Sequence, residues 1–190
     1  GSLLINMKNY GVPFNRFEVI DAVEIVYGES FMRLTVENYK NQSYEASVVA
    51  KILYENYGID TPDAAARCLK DAGYTMAEVL EGIYKYYLHS STSDAYKIKV
   101  QKRVCENVYP EVQYPIKLIL ESMGHNDPAA PIRVLPGAGF SSEQIIWILK
   151  YEYDLSAPAA MNLLWENNVM VTVEPIQEVW GSNPYWSLLR

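Results

Sequence analysis

The chain has 190 residues, of which 49% are hydrophobic, so it can bury one sizeable core or form one elongated array without needing two domains. Its 16 basic residues stand against 23 acidic ones, for a formal net charge of −7. An acidic chain without clustered positive charge is not expected to bind nucleic acid or an anionic membrane surface. No apolar run approaches the ~20 residues that a membrane-spanning helix needs, so we also expect no membrane insertion.

The start of the chain and its two cysteines carry little functional signal. Gly1 and Ser2 resemble a cloning remnant, and the residues LLIN precede Met7, so we expect the chain to be part of a longer protein. No basic and apolar stretch opens it as a signal peptide would. Cys68 and Cys105 stand far apart, without the spacing of a zinc site. We expect two free thiols, no metal and no cofactor.

A repeat with a period of 30 residues dominates the first half of the sequence. The stretch LKDAGYTMAEVLEGIYKYY, residues 69–87, matches YKNQSYEASVVAKILYENY, residues 39–57. The matched pairs are Lys40 with Lys70, Tyr44 with Tyr74, Val49 with Val79, Leu53 with Ile83, Tyr54 with Tyr84 and Tyr57 with Tyr87, and Val19, Val23 and Tyr27 continue these rows one period earlier. Such self-similarity is typical of repeat proteins.

The same pattern returns 66 residues further along the chain. LPGAGFSSEQIIWIL, residues 135–149, matches residues 69–83, and residues 158–160 take the places of residues 62–64. We expect one domain, residues 3–190, with a partial unit at 3–26, full units at 27–56 and 57–86, a longer degenerate unit at 87–122, a full unit at 123–152 and an atypical C-terminal cap at 153–190.

Local chemistry predicts that each unit begins with a helix. Asp60 or Thr61 can supply an N-cap oxygen, and Pro62 suits a first-turn position, where its missing N–H costs nothing. The alanine-rich run that follows favours a helix. We expect this helix to end at Gly73, because glycine adopts a left-handed conformation without a steric penalty.

A second helix is predicted to follow each bend. Thr75 and Glu78 have the spacing of a capping box, and Ser141 with Gln144 repeats it in the later copy. Apolar residues then recur at helical spacing, at Val79, Leu80, Ile83, Tyr84 and Tyr87. Each unit therefore reads as a helical hairpin.

Hairpins of this size bury their apolar stripes by stacking, so we expect an all-α, right-handed α-solenoid-like array of about five units. The final unit departs from the pattern: Pro175 should delay its second helix, and VMVTV could form a short strand or an extended arm. The tail GSNPYWSLLR is expected to dock its apolar residues Tyr185, Trp186, Leu188 and Leu189 over the last open face.

The pattern of Tyr-Gly, a Pro/Ala-rich first helix, Leu-Lys-x-Ala-Gly-Tyr and a second helix with Glu-Val resembles the degenerate helical repeats of bacterial cell-surface and secreted multi-repeat proteins. This resemblance covers nearly all of the chain. It implies a helical solenoid, and it carries almost no information on activity.

Trp147 is the candidate contact residue with the strongest signal. Most of the 16 tyrosines fall on shared repeat rows, which assigns them to packing. The row of Trp147 instead holds Asp21, Lys51 and Glu81 in the other copies, so this position should face solvent. A tryptophan there favours a binding contact, although packing on the degenerate unit or on the tail is the alternative.

The degenerate unit adds a basic cluster to an otherwise acidic chain. Lys97, Lys99, Lys102 and Arg103 lie close together in the sequence. They can bind a partner with an acidic patch, or they can be a solvated helix face.

Catalytic signals are weak. His89 lies beside two serines, but no nucleophile elbow surrounds them. His125 stands in a turn without a second histidine four residues away, and Gly137 and Gly139 align with the bend of the repeat rather than with a nucleotide-binding loop.

These patterns favour a protein without chemistry of its own that binds or scaffolds another protein or a peptide. An acidic solenoid should prefer basic or amphipathic peptides. One alternative is a helical domain of a secreted bacterial toxin, effector or surface protein that engages a host or neighbouring-cell component, and another is a helical enzyme around His89. A homo-oligomer is also compatible with the sequence.

Overall fold

The computed structural model describes residues 31–88, 93–113, 115–169 and 173–181. Within them the protein consists of α-helices with one short 3-10 helix and no strand, which confirms the predicted all-α class. The α-helices are α1 Phe31–Asn41, α2 Ala46–Tyr57, α3 Pro62–Asp71, α4 Met76–Tyr87, α5 Asp94–Val108, α6 Ile116–Ser122, α7 Ala130–Val134, α8 Ser142–Tyr151, α9 Ala157–Glu166 and α10 Val173–Trp180. The 3-10 helix, Pro136–Ala138, lies between α7 and α8.

Helices that are two positions apart in the chain pack against each other. Helix α1 contacts α3, and α3 contacts α5; likewise α2 contacts α4, and α4 contacts α6. Helices that follow each other directly also pack, from α1 through α6. The largest fully buried apolar side chains of the described residues are Leu53, Leu69, Leu80, Ile83, Ile98, Ile119, Leu120, Leu135, Ile146, Leu149 and Ile176.

The bend between α3 and α4 has the predicted chemistry. Gly73 adopts φ +86°, in the left-handed region where a side chain would be strained. Thr75 Oγ1 accepts a hydrogen bond from the Glu78 N–H at 3.3 Å, and the Glu78 carboxylate accepts one from the Thr75 N–H at 2.7 Å. This reciprocal pair is the predicted capping box, and it fixes the start of α4.

The bend before α8 repeats this arrangement. Gly139 has φ +90°. Ser141 Oγ accepts a hydrogen bond from the Gln144 N–H at 3.3 Å, while Gln144 Oε1 accepts one from the Ser141 N–H at 2.9 Å. The second predicted capping box is therefore confirmed as well.

The first helices of the predicted units differ from expectation in two respects. Thr61 is the N-cap of α3, but its side chain makes no capping hydrogen bond. Ser156 is the N-cap of α9 and accepts from the Ala159 N–H, which places Pro158 second in its helix, whereas Pro62 is first in α3. The expected match of residues 158–160 to 62–64 is therefore wrong by one residue. Aligning the N-caps instead pairs the buried Leu164 with the buried Leu69.

Prolines shape the later helices in ways that the sequence pattern did not predict. In the predicted unit at 123–152 the first helix is split, since α7 ends at Val134 and a 3-10 turn begins at Pro136. Pro175 does not delay α10. It occupies the third position of that helix, where a backbone N–H has no acceptor within the helix, so proline removes no hydrogen bond.

Several expectations concern parts of the chain outside the described residues. They are the partial unit at 3–26 with the Val19, Val23 and Tyr27 rows, the surroundings of His89, most of the VMVTV segment and the docking of the tail at 182–190.

Candidate functional site

A groove of about 570 Å³ opens between α5 and α8, and we call it the α5–α8 groove. One wall comes from the C-terminal half of α5 and the segment that leads into α6. The other wall comes from Phe140 and α8. The lining residues are Lys102, Cys105, Glu106, Pro110, Val112, Gln113, Pro115, Ile116, Phe140, Glu143, Gln144, Trp147, Ile148 and Glu152.

Helical spacing aims the wall residues into the groove. Lys102 and Glu106 are four residues apart on α5, and Glu143 and Trp147 are four residues apart on α8, so each pair lies on one helix face. The capping box at Ser141 fixes where α8 begins and so sets the direction of its face.

The floor of the groove is apolar. Cys105, Ile116 and Ile148 are buried there, and Phe140 and Trp147 are half-buried along the side. An apolar floor of this kind gives an occupant surface to cover, and burial of that surface stabilises a complex.

Trp147 does not stand alone on its wall. Its ring centroid lies 4.2 Å from that of Tyr151, one helical turn later, with an interplanar angle of 41°. Trp147 therefore packs on Tyr151 and also lines the groove.

The rim of the groove is mainly acidic. Lys102 Nζ forms an ion pair with Glu106 at 2.7 Å, which leaves two further carboxylates, Glu143 and Glu152. A hydrogen bond from Ser141 holds the pKa of Glu143 below its usual range, so Glu143 is ionised at neutral pH.

Glu152 links the groove to the start of α6. Its carboxylate accepts a hydrogen bond from the Lys117 N–H at 2.6 Å, so it caps that helix from outside. Burial raises the pKa of this carboxyl, and the backbone N–H groups of Lys117 and Ile116 oppose the rise. The position is therefore structural as well as part of the rim.

The structure brings together two of the five residues predicted to contact a partner. Trp147 and Lys102 both line the α5–α8 groove. Lys99 is exposed on α5 but is not a lining residue. Arg103 is turned toward α3, where its guanidinium donates to the Asp63 carboxylate at 2.8 Å.

Lys97 is in the interior and is not part of an exposed basic face. Its side chain is 8% exposed, and its Nζ lies 3.6 Å from Asp94 and 5.2 Å from the centre of the Tyr84 ring. Helix α5 packs against α3, α4, α6 and the 3-10 helix, and Lys97 lies on this packed side, whereas Lys99, Lys102 and Arg103 lie on the exposed side. The prediction grouped Lys97 with these residues because they are close in sequence, but a helix turns about 100° per residue, which puts Lys97 on the other side.

Glu143 is a site residue that the sequence reasoning missed. Its repeat row holds Ser47 and Ala77 in the matching copies, so a charged residue appears there only beside Trp147. The two residues break the repeat one helical turn apart. That spacing is the signal that would have indicated a paired site.

Trp165 is a second missed residue. It lies on α9 and is 77% exposed, the largest value among the exposed large hydrophobic residues described. The one-residue error in the register assigned it to the buried row of Leu69. In the corrected register it falls on the row of Lys70, which is partly exposed.

Both cysteine thiols have raised pKa values, which makes them poor nucleophiles. Burial raises the pKa of the Cys105 thiol to about 12, so the thiol is protonated and a poor nucleophile at neutral pH. Cys68, the other free thiol, is half-buried, and burial raises its pKa too.

Among the described residues, no cluster of His, Cys, Asp and Glu could hold a metal ion. No helix in the described ranges has the length and hydropathy to cross a membrane.

Comparisons with family models, with curated proteins and with solved structures found no match to this chain.

Proposed function

We propose that this chain is a non-enzymatic binding or scaffolding protein, a right-handed α-solenoid-like array of about five helix-turn-helix units. Its α5–α8 groove takes up a basic, amphipathic segment of a partner protein. The array is supported by the succession of contacts between alternate helices, α1 to α3 to α5 and α2 to α4 to α6.

One observation carries the binding proposal: a single open groove combines an apolar floor with an acidic rim. Buried Ile116 and Ile148 can receive the apolar side chains of a partner segment. Half-buried aromatic residues such as Trp147 are enriched among the residues that dominate binding energy.

Charge complementarity selects the class of partner. Three carboxylates and one lysine line the groove, and that lysine is already paired with Glu106. The chain as a whole carries a net charge of −7. A basic segment therefore meets a favourable potential both at a distance and in the groove.

A selection from a displayed library of random peptides tests this proposal. Peptides about twelve residues long, enough for three helical turns, are selected on the immobilised chain and then measured by fluorescence anisotropy. We expect enriched sequences that combine apolar and basic residues. Trp147→Ala should weaken their binding about thirtyfold, the effect typical of a central interface residue.

Trp165→Ala is the matched control, since it removes an exposed tryptophan that lies outside the groove. It should leave peptide affinity unchanged. Circular dichroism and a thermal melt verify that both variants fold. Peptides that bind Trp147→Ala as tightly as the wild type, or a groove occupied by a second copy of the chain in sedimentation experiments, would contradict the proposal.

A further inference from the structure

Glu143 and Trp147 form the most specific feature of the α5–α8 groove. They lie four residues apart on α8 and both line the groove. Residues with this spacing are neighbours on a helix surface, with about 6 Å between their Cβ atoms. A carboxylate and an indole therefore lie next to each other on this wall of the groove.

The other charged groups of the rim are already engaged. Lys102 and Glu106 pair with each other at 2.7 Å, and Glu152 accepts from the Lys117 backbone at 2.6 Å. Glu143 interacts with the neutral hydroxyl of Ser141. No lysine or arginine in the described ranges forms an ion pair with it.

The matching position on α4 shows what distinguishes this pair. A second groove, of about 430 Å³, lies between α4 and α6 and is lined by Ala77 and Glu81. These two residues occupy the repeat rows of Glu143 and Trp147. Position 77 has no carboxylate and position 81 has no aromatic ring. A carboxylate followed four residues later by an indole therefore occurs on α8 and not at the matching positions of α4.

We infer that Glu143 and Trp147 together bind the guanidinium group of an arginine in the partner segment, an inference that rests on the proposed function. A planar guanidinium stacks on an indole ring and donates paired hydrogen bonds to a carboxylate. Lysine offers a point charge without the planar stacking surface, so it is the weaker ligand.

Two displayed peptide libraries test the inference, one with arginine codons and one in which arginine is replaced throughout by glutamine. Both are selected on the wild-type chain and counter-screened with Trp147→Ala to retain binders that use the groove. For each binder that contains arginine, a synthetic peptide with citrulline in place of arginine keeps the shape and removes the charge. We expect citrulline to weaken binding about tenfold and lysine to weaken it about threefold.

Glu143→Gln supplies the matched test on the protein side, with Glu166→Gln as its control. Glu166 is an exposed carboxylate on α9, outside the groove, so both variants change the net charge equally. Glu143→Gln should abolish most of the difference between arginine and citrulline peptides, and Glu166→Gln should preserve it.

The outcomes separate the two proposals. Groove binders enriched equally from both libraries, or an arginine preference that survives Glu143→Gln, would overturn the arginine site and leave the peptide-binding function standing. If neither library yields a binder that depends on Trp147, the proposed function fails, and the arginine site fails with it.

Discussion

The hydroxyl of Tyr74 donates a hydrogen bond of 2.8 Å to the backbone carbonyl of Tyr44, a residue that lies thirty positions earlier on the same repeat row. The Tyr74 ring is buried, and Lys40 Nζ lies 4.3 Å from its centre. Burial raises the pKa of Tyr74 to about 12, so the hydroxyl keeps its proton at any physiological pH. The row that repeats in sequence is thus a direct contact between successive bends.

The different hydrogen bonding of two buried tyrosines predicts different effects for two Tyr→Phe substitutions. Tyr74→Phe should lower the free energy of unfolding by about 1 kcal/mol, because a buried hydrogen bond is lost. Tyr109→Phe should leave it unchanged or raise it, because the buried Tyr109 hydroxyl has no hydrogen-bond partner among the described protein atoms. Urea denaturation followed by circular dichroism measures both. Equal losses of stability in the two variants would count against this assignment.

Gly82 gives a second prediction, because the backbone of α2 lies close to α4 there. A Cβ atom at this position would lie 3.0 Å from the Ala46 carbonyl carbon and oxygen and 3.2 Å from the Ser47 nitrogen. Gly82→Ala should therefore lower the free energy of unfolding by about 1–3 kcal/mol. It should do so even though alanine is intrinsically about 1 kcal/mol better than glycine in a helix.

The matched control for Gly82 is Gly137→Ala, where a new Cβ atom meets nothing within 4 Å. That variant should melt within a few degrees of the wild type. The sequence itself hints at the special role of position 82, since the matching rows hold Ile52 and Ile148. A Gly82→Ala protein more stable than the wild type would rule out the close approach of the two helices.

Features fixed by neighbouring residues could be predicted from the sequence. Both capping boxes and the left-handed Gly73 depend on contacts within three or four residues, so their chemistry can be read from spacing alone. The buried apolar stripe of α4 follows for the same reason, since Val79, Leu80 and Ile83 recur with the helical period.

Features that depend on distant segments could not be predicted. Lys97 is buried because α5 packs against several helices, and its partner Tyr84 belongs to α4. The α5–α8 groove exists where α6, only seven residues long, begins after the connection from α5. The sequence around Trp147 does not show how the short α6 lies relative to α5 and α8. Trp147 could therefore be identified as unusual but not placed in a groove with Glu143.

The buried Lys97 leads to a third prediction, in which the two partners of one ion pair respond differently. Lys97→Met replaces a desolvated charge by an apolar chain of similar length, so the free energy of unfolding should stay the same or rise. Asp94→Asn leaves the ammonium buried without its carboxylate. It should cost about 1–2 kcal/mol, a reduced figure because Asp94 is 46% exposed and therefore screened by solvent.

Guanidinium chloride denaturation of both variants checks the Lys97 prediction, because the salt in this denaturant screens surface charges and leaves mainly the buried effect. Asp94 also lies 3.4 Å from His125 Nε2, so all variants are measured at one fixed pH. If Lys97→Met is the more damaging change, the lysine contributes to stability by its charge rather than by its chain.

Glu152 provides a prediction on pH. Burial raises the pKa of its carboxyl in the folded protein, so the folded state binds a proton more tightly than the unfolded state does. Stability from this group is therefore fully present below the unfolded pKa, near 4.5, and is lost as the pH rises through the higher folded value. Glu152→Gln keeps an oxygen that can accept from the Lys117 N–H and removes the titration.

The stability of the wild type relative to Glu152→Gln should thus increase as the pH falls from 7 toward the unfolded pKa of this residue. Urea denaturation of both proteins across that range isolates Glu152 from the other carboxylates. Glu78, Glu111, Asp127 and Glu143 have lowered pKa values and change in the opposite sense, but equally in both proteins. A difference that grows in favour of the variant on acidification would mean that the bond to Lys117 outweighs the burial of the charge.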